Sequence, residues 1–102
     1  MIHVIATVLI KPGKMAEALE IYRPFTSQVL TEKGCLQYQP SLDLDLGLAT
    51  QRLDPNRITV IERWENIAAF RAHLNAPHVL DYRAAIQELL QEITVTVTQA
   101  VI

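Results

Sequence analysis

The sequence predicts an α+β fold, a ferredoxin-like four-stranded antiparallel sheet with helices on one face. Two observations predict it. The apolar period alternates between two and three-to-four along the chain, giving the order β-α-β-β-α-α-β. That order is the split β-α-β plan with its second helix broken in two. The 102 residues, half of them apolar, suit a single domain over residues 1–102 that buries about 65% of its unfolded surface.

Ile2–Ile10 is a run rich in β-branched residues, stopped by Lys11-Pro12-Gly13, and reads as the first strand rather than a signal peptide. Met15, Ala18, Leu19, Tyr22, Phe25 and Val29 recur at helical spacing, predicting a helix over 14–33 with Gly34 as its stop. Pro24 should kink or split that helix near Glu20–Arg23. Cys35–Leu44 is extended in character, and Asp54-Pro55-Asn56 signals a turn. Arg57–Trp64 is a strand with Ile58, Val60, Glu62 and Trp64 on one face. Asn66 can cap a helix that ends near Asn75, and Pro77 suits the first turn of the next helix, over 78–91. Ile93–Ile102 is the last strand.

Both faces of the first strand are largely apolar, with Ile2, Val4, Ala6 and Val8 on one and His3, Ile5, Thr7 and Leu9 on the other. Helices can cover only one face, and a wetted antiparallel sheet should alternate cleanly. A second copy is expected over the other face, giving a homodimer with sheets face to face. His3 belongs to that strand or interface.

A net charge of −2, from 9 basic and 11 acidic residues, with no basic stripe, argues against nucleic acid as a partner. No apolar run approaches the roughly 18 residues of a membrane span. A single cysteine, Cys35, excludes an intrachain disulfide and fits a reducing cytoplasm. It reads as a small buried side chain with no basic neighbour in sequence to activate it. His73 and His78 lack the spacing that puts two metal ligands on one helix face, and three scattered glycines make no phosphate loop. Neither a metal nor a dinucleotide cofactor is expected.

Gly34-Cys35-Leu36-Gln37-Tyr38, Ile61-Glu62-Arg63-Trp64, Ala69-Phe70-Arg71-Ala72-His73 and Pro77-His78, in that order, resemble the antibiotic biosynthesis monooxygenase (ABM) domain over nearly the whole chain. The resemblance implies a dimeric α+β barrel. It also implies O₂-dependent oxidation of quinols, anthrones or related phenols without metal or flavin; some relatives degrade haem, and others isomerise a small sugar derivative. The pocket it implies lies between sheet and helices and is lined by a strand Trp, a helix His and a first-strand Asn. Trp64 and His73 match the first two, and Thr7 stands near the Asn position. The segment between Tyr38 and Asp54 is longer than usual.

Cofactor-free oxygenation needs a base, a donor for the substrate anion and a dry cavity. His73 suits the base near neutrality and lies at the margin of the Ile67–Phe70–Leu74 stripe. Trp64 offers a wall and an indole donor. Tyr82, His78, Thr7, Tyr38 and Glu62 are candidates for holding substrate, and Tyr22 is a further phenol near them. Glu62 must be paired or have a raised pKa, with Arg71 or Arg83 the expected partner. The sequence therefore predicts a cofactor-independent monooxygenase acting on a quinol- or anthrone-like aromatic. A cofactor-free isomerase of a small polar compound and a non-catalytic binding module are the alternatives.

Overall fold

A computed structural model describes all 102 residues. The elements run β1 (Ile2–Ile10), α1 (Met15–Val29), β2 (Cys35–Ser41), β3 (Arg57–Trp64), α2 (Ile67–Leu74), α3 (Pro77–Ile86) and β4 (Leu90–Thr98). The sheet order is β2-β3-β1-β4, and every neighbouring pair is antiparallel. This is the α+β ferredoxin-like arrangement the sequence predicts, with all three helices on one face.

The core follows the period-two pattern. Ile2, Val4, Ala6, Val8 and Ile10 of β1 and Ile58, Val60, Glu62 and Trp64 of β3 are buried beneath Ala18, Tyr22, Phe25 and Val29 of α1. The opposite face carries His3, Ile5, Thr7 and Leu9, with Ile5 paired to Ile61 and Thr7 to Thr59. Ile5 and Ile61 are each 37% exposed, so the helix-free face has an apolar centre, flanked by Thr7, Thr59 and Thr96 on one side and by His3, Arg63 and Gln39 on the other.

Several boundaries differ from the sequence expectation, among them the last strand, which spans Leu90–Thr98 rather than 93–102. The first helix stops at Val29, because residues 30–34 turn to enter β2. Gly34 ends that turn at φ +83°, and a Cβ there would lie 2.6 Å from the Cβ of Ala69. Only glycine meets both the left-handed backbone and the close approach of α2. Pro24 neither splits nor ends α1; it and Glu20, whose carbonyl loses its partner, are both exposed to solvent, which can take up the bond. β2 closes at Ser41, and Leu42 and Leu44 lie in the following loop. That loop is ordered by its own polar groups. The Gln51 side chain bonds Leu46, Leu48 and Leu44 backbone atoms, and Arg57 reaches Asp43 at 2.7 Å.

α3 ends at Ile86, short of the expected residue 91, because β4 starts at Leu90 to complete its ladder with β1. The strand places Val97, Val95 and Ile93 opposite Val4, Ala6 and Val8, on the helix side of the sheet. These three remain 44–52% exposed, since the helices do not extend over this edge strand. No helix is long and apolar enough to cross a membrane.

Candidate active site

Between the sheet and the helices lies a cavity of about 220 Å³. Its floor is Val4 and Ala6 of β1 with Val60 and Glu62 of β3, and its roof includes Phe25, Phe70, Val79 and Tyr82. Ile93 and Val95 form its open flank. Of the 15 residues that line it, 12 are hydrophobic.

Local sequence sets the phase of α2. The Asn66 side chain accepts from Ala69 N–H at 2.8 Å and fixes the first turn, as an N-cap does. Phe70 and His73, three residues apart, then face inward. His73 is therefore buried at the centre of the inner face, not at the margin of an Ile67–Phe70–Leu74 stripe; Ile67 is half exposed.

His73 is held by a residue the sequence reading missed. Its Nδ1 lies 2.8 Å from Oε2 of Glu32, and Nε2 of His78 lies 2.7 Å from the same oxygen. Glu32 comes from the turn after α1, 41 and 46 residues before its two partners, so no local pattern announces it. With Nδ1 on the carboxylate, His73 keeps Nε2 free. No fully buried side-chain nitrogen or oxygen lacks a partner, so this unbonded Nε2 retains accessible surface in a residue that lines the cavity. Burial holds the His73 pKa below its ordinary value, against the pull of Glu32. The imidazole is thus neutral near pH 7, the form a general base needs.

Glu62 is the second titrating group of the cavity. Burial raises its pKa to about 7, and the Trp64 hydrogen bond moderates the rise. Its expected arginine partner is absent: Trp64 Nε1–H donates to Glu62 Oε1 at 2.9 Å. Trp64 differs from expectation for the same reason. It is fully buried, stands behind Phe70 and His73 with its ring 4.7 Å from the His73 ring, and does not line the cavity. Its only N–H serves Glu62, leaving no donor for a ligand.

The phenols sort by their partners. Tyr82 and Tyr22 line the cavity and share a hydrogen bond between their hydroxyls, and Phe25 stacks on Tyr82 at 4.3 Å. Tyr38 also lines the cavity. Burial and the nearby Glu62 carboxylate raise its pKa well above that of a free phenol, so its hydroxyl stays a donor. Two candidates lie elsewhere. Thr7 points to the helix-free face, between Thr59 and Thr94, because Val4 and Ala6 take the inward positions of β1. His78 opens onto a shallow outer pocket with Gln28 and Asp81; it meets the cavity residues through Glu32 and through the Phe25 ring, 6.0 Å away. Cys35 is half-buried and burial raises its thiol pKa to about 11, which leaves it unreactive at neutral pH.

The sequence profile for antibiotic biosynthesis monooxygenases matches residues 1–85. The chain is 34% identical over 101 residues to the "probable quinol monooxygenase YgiN" of Escherichia coli K12, covering 97% of both chains. Among solved structures, an antibiotic biosynthesis monooxygenase superposes with a TM-score of 0.83 at 29% identity over 99% of both chains. The protein PA3566 of Pseudomonas aeruginosa superposes with a TM-score of 0.82 at 27% identity, over 99% of this chain and 94% of its own.

Proposed function

Because the chain belongs to the antibiotic biosynthesis monooxygenase family, we propose that it oxidises a small quinol with O₂ in the cavity beneath α2, without a cofactor. The observation that carries this is the unbonded Nε2 of a neutral His73 in an apolar cavity. His73 takes a phenolic proton at Nε2, and Glu32 steadies the resulting imidazolium through Nδ1. Tyr38 O–H and, below about pH 7, the protonated Glu62 are donors available to the substrate oxygens. Apolar walls keep water from the reactive anion. The quinolate supplies all four electrons. Two come from converting quinol to quinone and two from converting ring C–H to C–OH. One oxygen atom enters the ring and the other leaves as water.

The cavity is small beside the roughly 300–1,000 Å³ of drug-sized sites. That favours one- or two-ring quinols over three-ring anthrones. The apolar lining sets this reading above proton-transfer isomerisation of a polar compound, for which His73 and Glu62 would also serve. The functional unit is a homodimer that buries the Ile5–Ile61 centre of the helix-free face, and the lone, unpaired Cys35 suits a cytoplasmic setting. Oxygen uptake with a quinol panel tests the proposal. Consumption of a one- or two-ring quinol supports it, and no uptake with any member would overturn it.

A further inference from the structure

We propose that His78 is a positioning residue that governs when the buried His73 can accept a proton, by competing with it for one oxygen of Glu32. The geometry carries this inference, which rests on the preceding reading only for the role of His73 as base. Both imidazoles bind Oε2 of the same carboxylate, at 2.8 Å and 2.7 Å. One carboxylate neutralises one imidazolium, and a second positive charge in so small a cluster meets like-charge repulsion. The two rings differ in access. The His73 side chain is 7% exposed and Glu32 12%, whereas His78 is 21% exposed and lines the outer pocket. His78 therefore exchanges protons with solvent while His73 faces the cavity.

Because both rings share Oε2, a charge on His78 opposes one on His73. When a substrate hydroxyl gives its proton to His73 Nε2, the positive charge lies on the cavity side of Glu32. A neutral His78 that donates Nε2–H to the same oxygen leaves the carboxylate charge to His73, whereas a cation at position 78 competes for it. Other groups face the cluster. Arg83 of α3, like His78, disfavours charge on His73. The N-terminus of α3 opposes charge on His78. Tyr38 of β2, Cys35 and Glu62 of β3 lie close enough to feel the Glu32 charge, and Asp81 shares the outer pocket.

The test is the titration of the His73 ring, followed by NMR in wild type, His78→Gln and His78→Lys, with His73→Asn assigning the resonance. It needs no turnover, so it stands or falls independently of the oxidation chemistry. His78→Gln keeps a donor for Glu32 but no charge, and the His73 midpoint should rise by about one pH unit. His78→Lys keeps a permanent cation, and the midpoint should stay at or below that of wild type. Where a quinol is turned over, the acid limb of kcat/KM should move up with the midpoint in His78→Gln while KM is unchanged. An identical His73 midpoint in all three proteins would overturn the proposal.

Discussion

The indole N–H of Trp64 donates to the Glu62 carboxylate at 2.9 Å, across two positions of one strand and inside the core. The pair joins a buried, titrating acid to a buried aromatic that has no other polar partner. Burial of that acid, only partly offset by the indole hydrogen bond, makes the stability of the protein depend on pH in a direction unusual for a carboxylate. The Glu62 pKa is raised from an ordinary 4.5 to about 7. The folded state then binds its proton more tightly than the unfolded chain. The associated stability is full below about pH 4.5, declines as pH rises towards 7, and is flat above that. Glu62→Gln keeps an acceptor for the indole and removes the charge. At pH 8 the variant should be more stable than wild type by about 2–4 kcal/mol, with no gain at pH 4. Denaturant melts at the two pH values check this; an equal difference at both would contradict it.

Trp64→Phe removes the hydrogen bond that draws the Glu62 pKa back down. The variant should lose about 1–3 kcal/mol from the lost bond alone, and more from the space left behind. The pH-dependent decline should also shift to higher pH. Chemical denaturation across pH 5–9 measures both effects.

Ala6 is the small residue on the β1 side of the cavity floor. Ala6→Leu should fill part of the 220 Å³. KM for a two-ring quinol should rise about tenfold or more, the scale of a methylene or two of misfit. The melting temperature should hold or rise, because the added atoms enter existing space. Steady-state kinetics and thermal melts on the same preparation check the two together.

The helix-free sheet face centres on the Ile5–Ile61 pair. Wild-type protein should sediment at twice its 11.5 kDa chain mass, and Ile5→Lys should sediment as the single chain while keeping its circular dichroism. A concentration-independent single-chain mass for wild type would exclude the proposed homodimer.

The sheet was legible in the sequence because its signals are local. Alternation along Ile58–Trp64, the Asn66 cap and Pro77 at the start of α3 each act within a few residues. Helix ends were less legible where the chain had to turn into a strand. Residues 87–91 continue an apolar helical spacing, yet pairing of Leu90 with Ile10 makes 87–89 a turn and takes Leu90 and Gln91 into the sheet. His73 could be read as a candidate from its type and place on a helix. Glu32 could not, since its role exists only once the turn after α1 meets α2 and α3. Thr7 stands near the expected Asn only in sequence, and a one-residue change of register moves a strand side chain to the other face. Trp64 reads as a pocket wall because large aromatics serve both roles; packing behind His73 and Phe70 makes it a support for the residues in front.

His73 takes the first proton in the proposed reaction, so its removal is the most direct measurement. Oxygen consumption with a one- or two-ring quinol should be compared between wild type and His73→Asn at pH 7. The variant is expected to lose about 10²–10⁴-fold in kcat, the usual contribution of a positioned base, with a far smaller change in KM. Wild-type kcat/KM should keep its activity below the ordinary histidine range, as burial lowers the His73 pKa. Equal turnover by His73→Asn would contradict the assignment of His73 as the base.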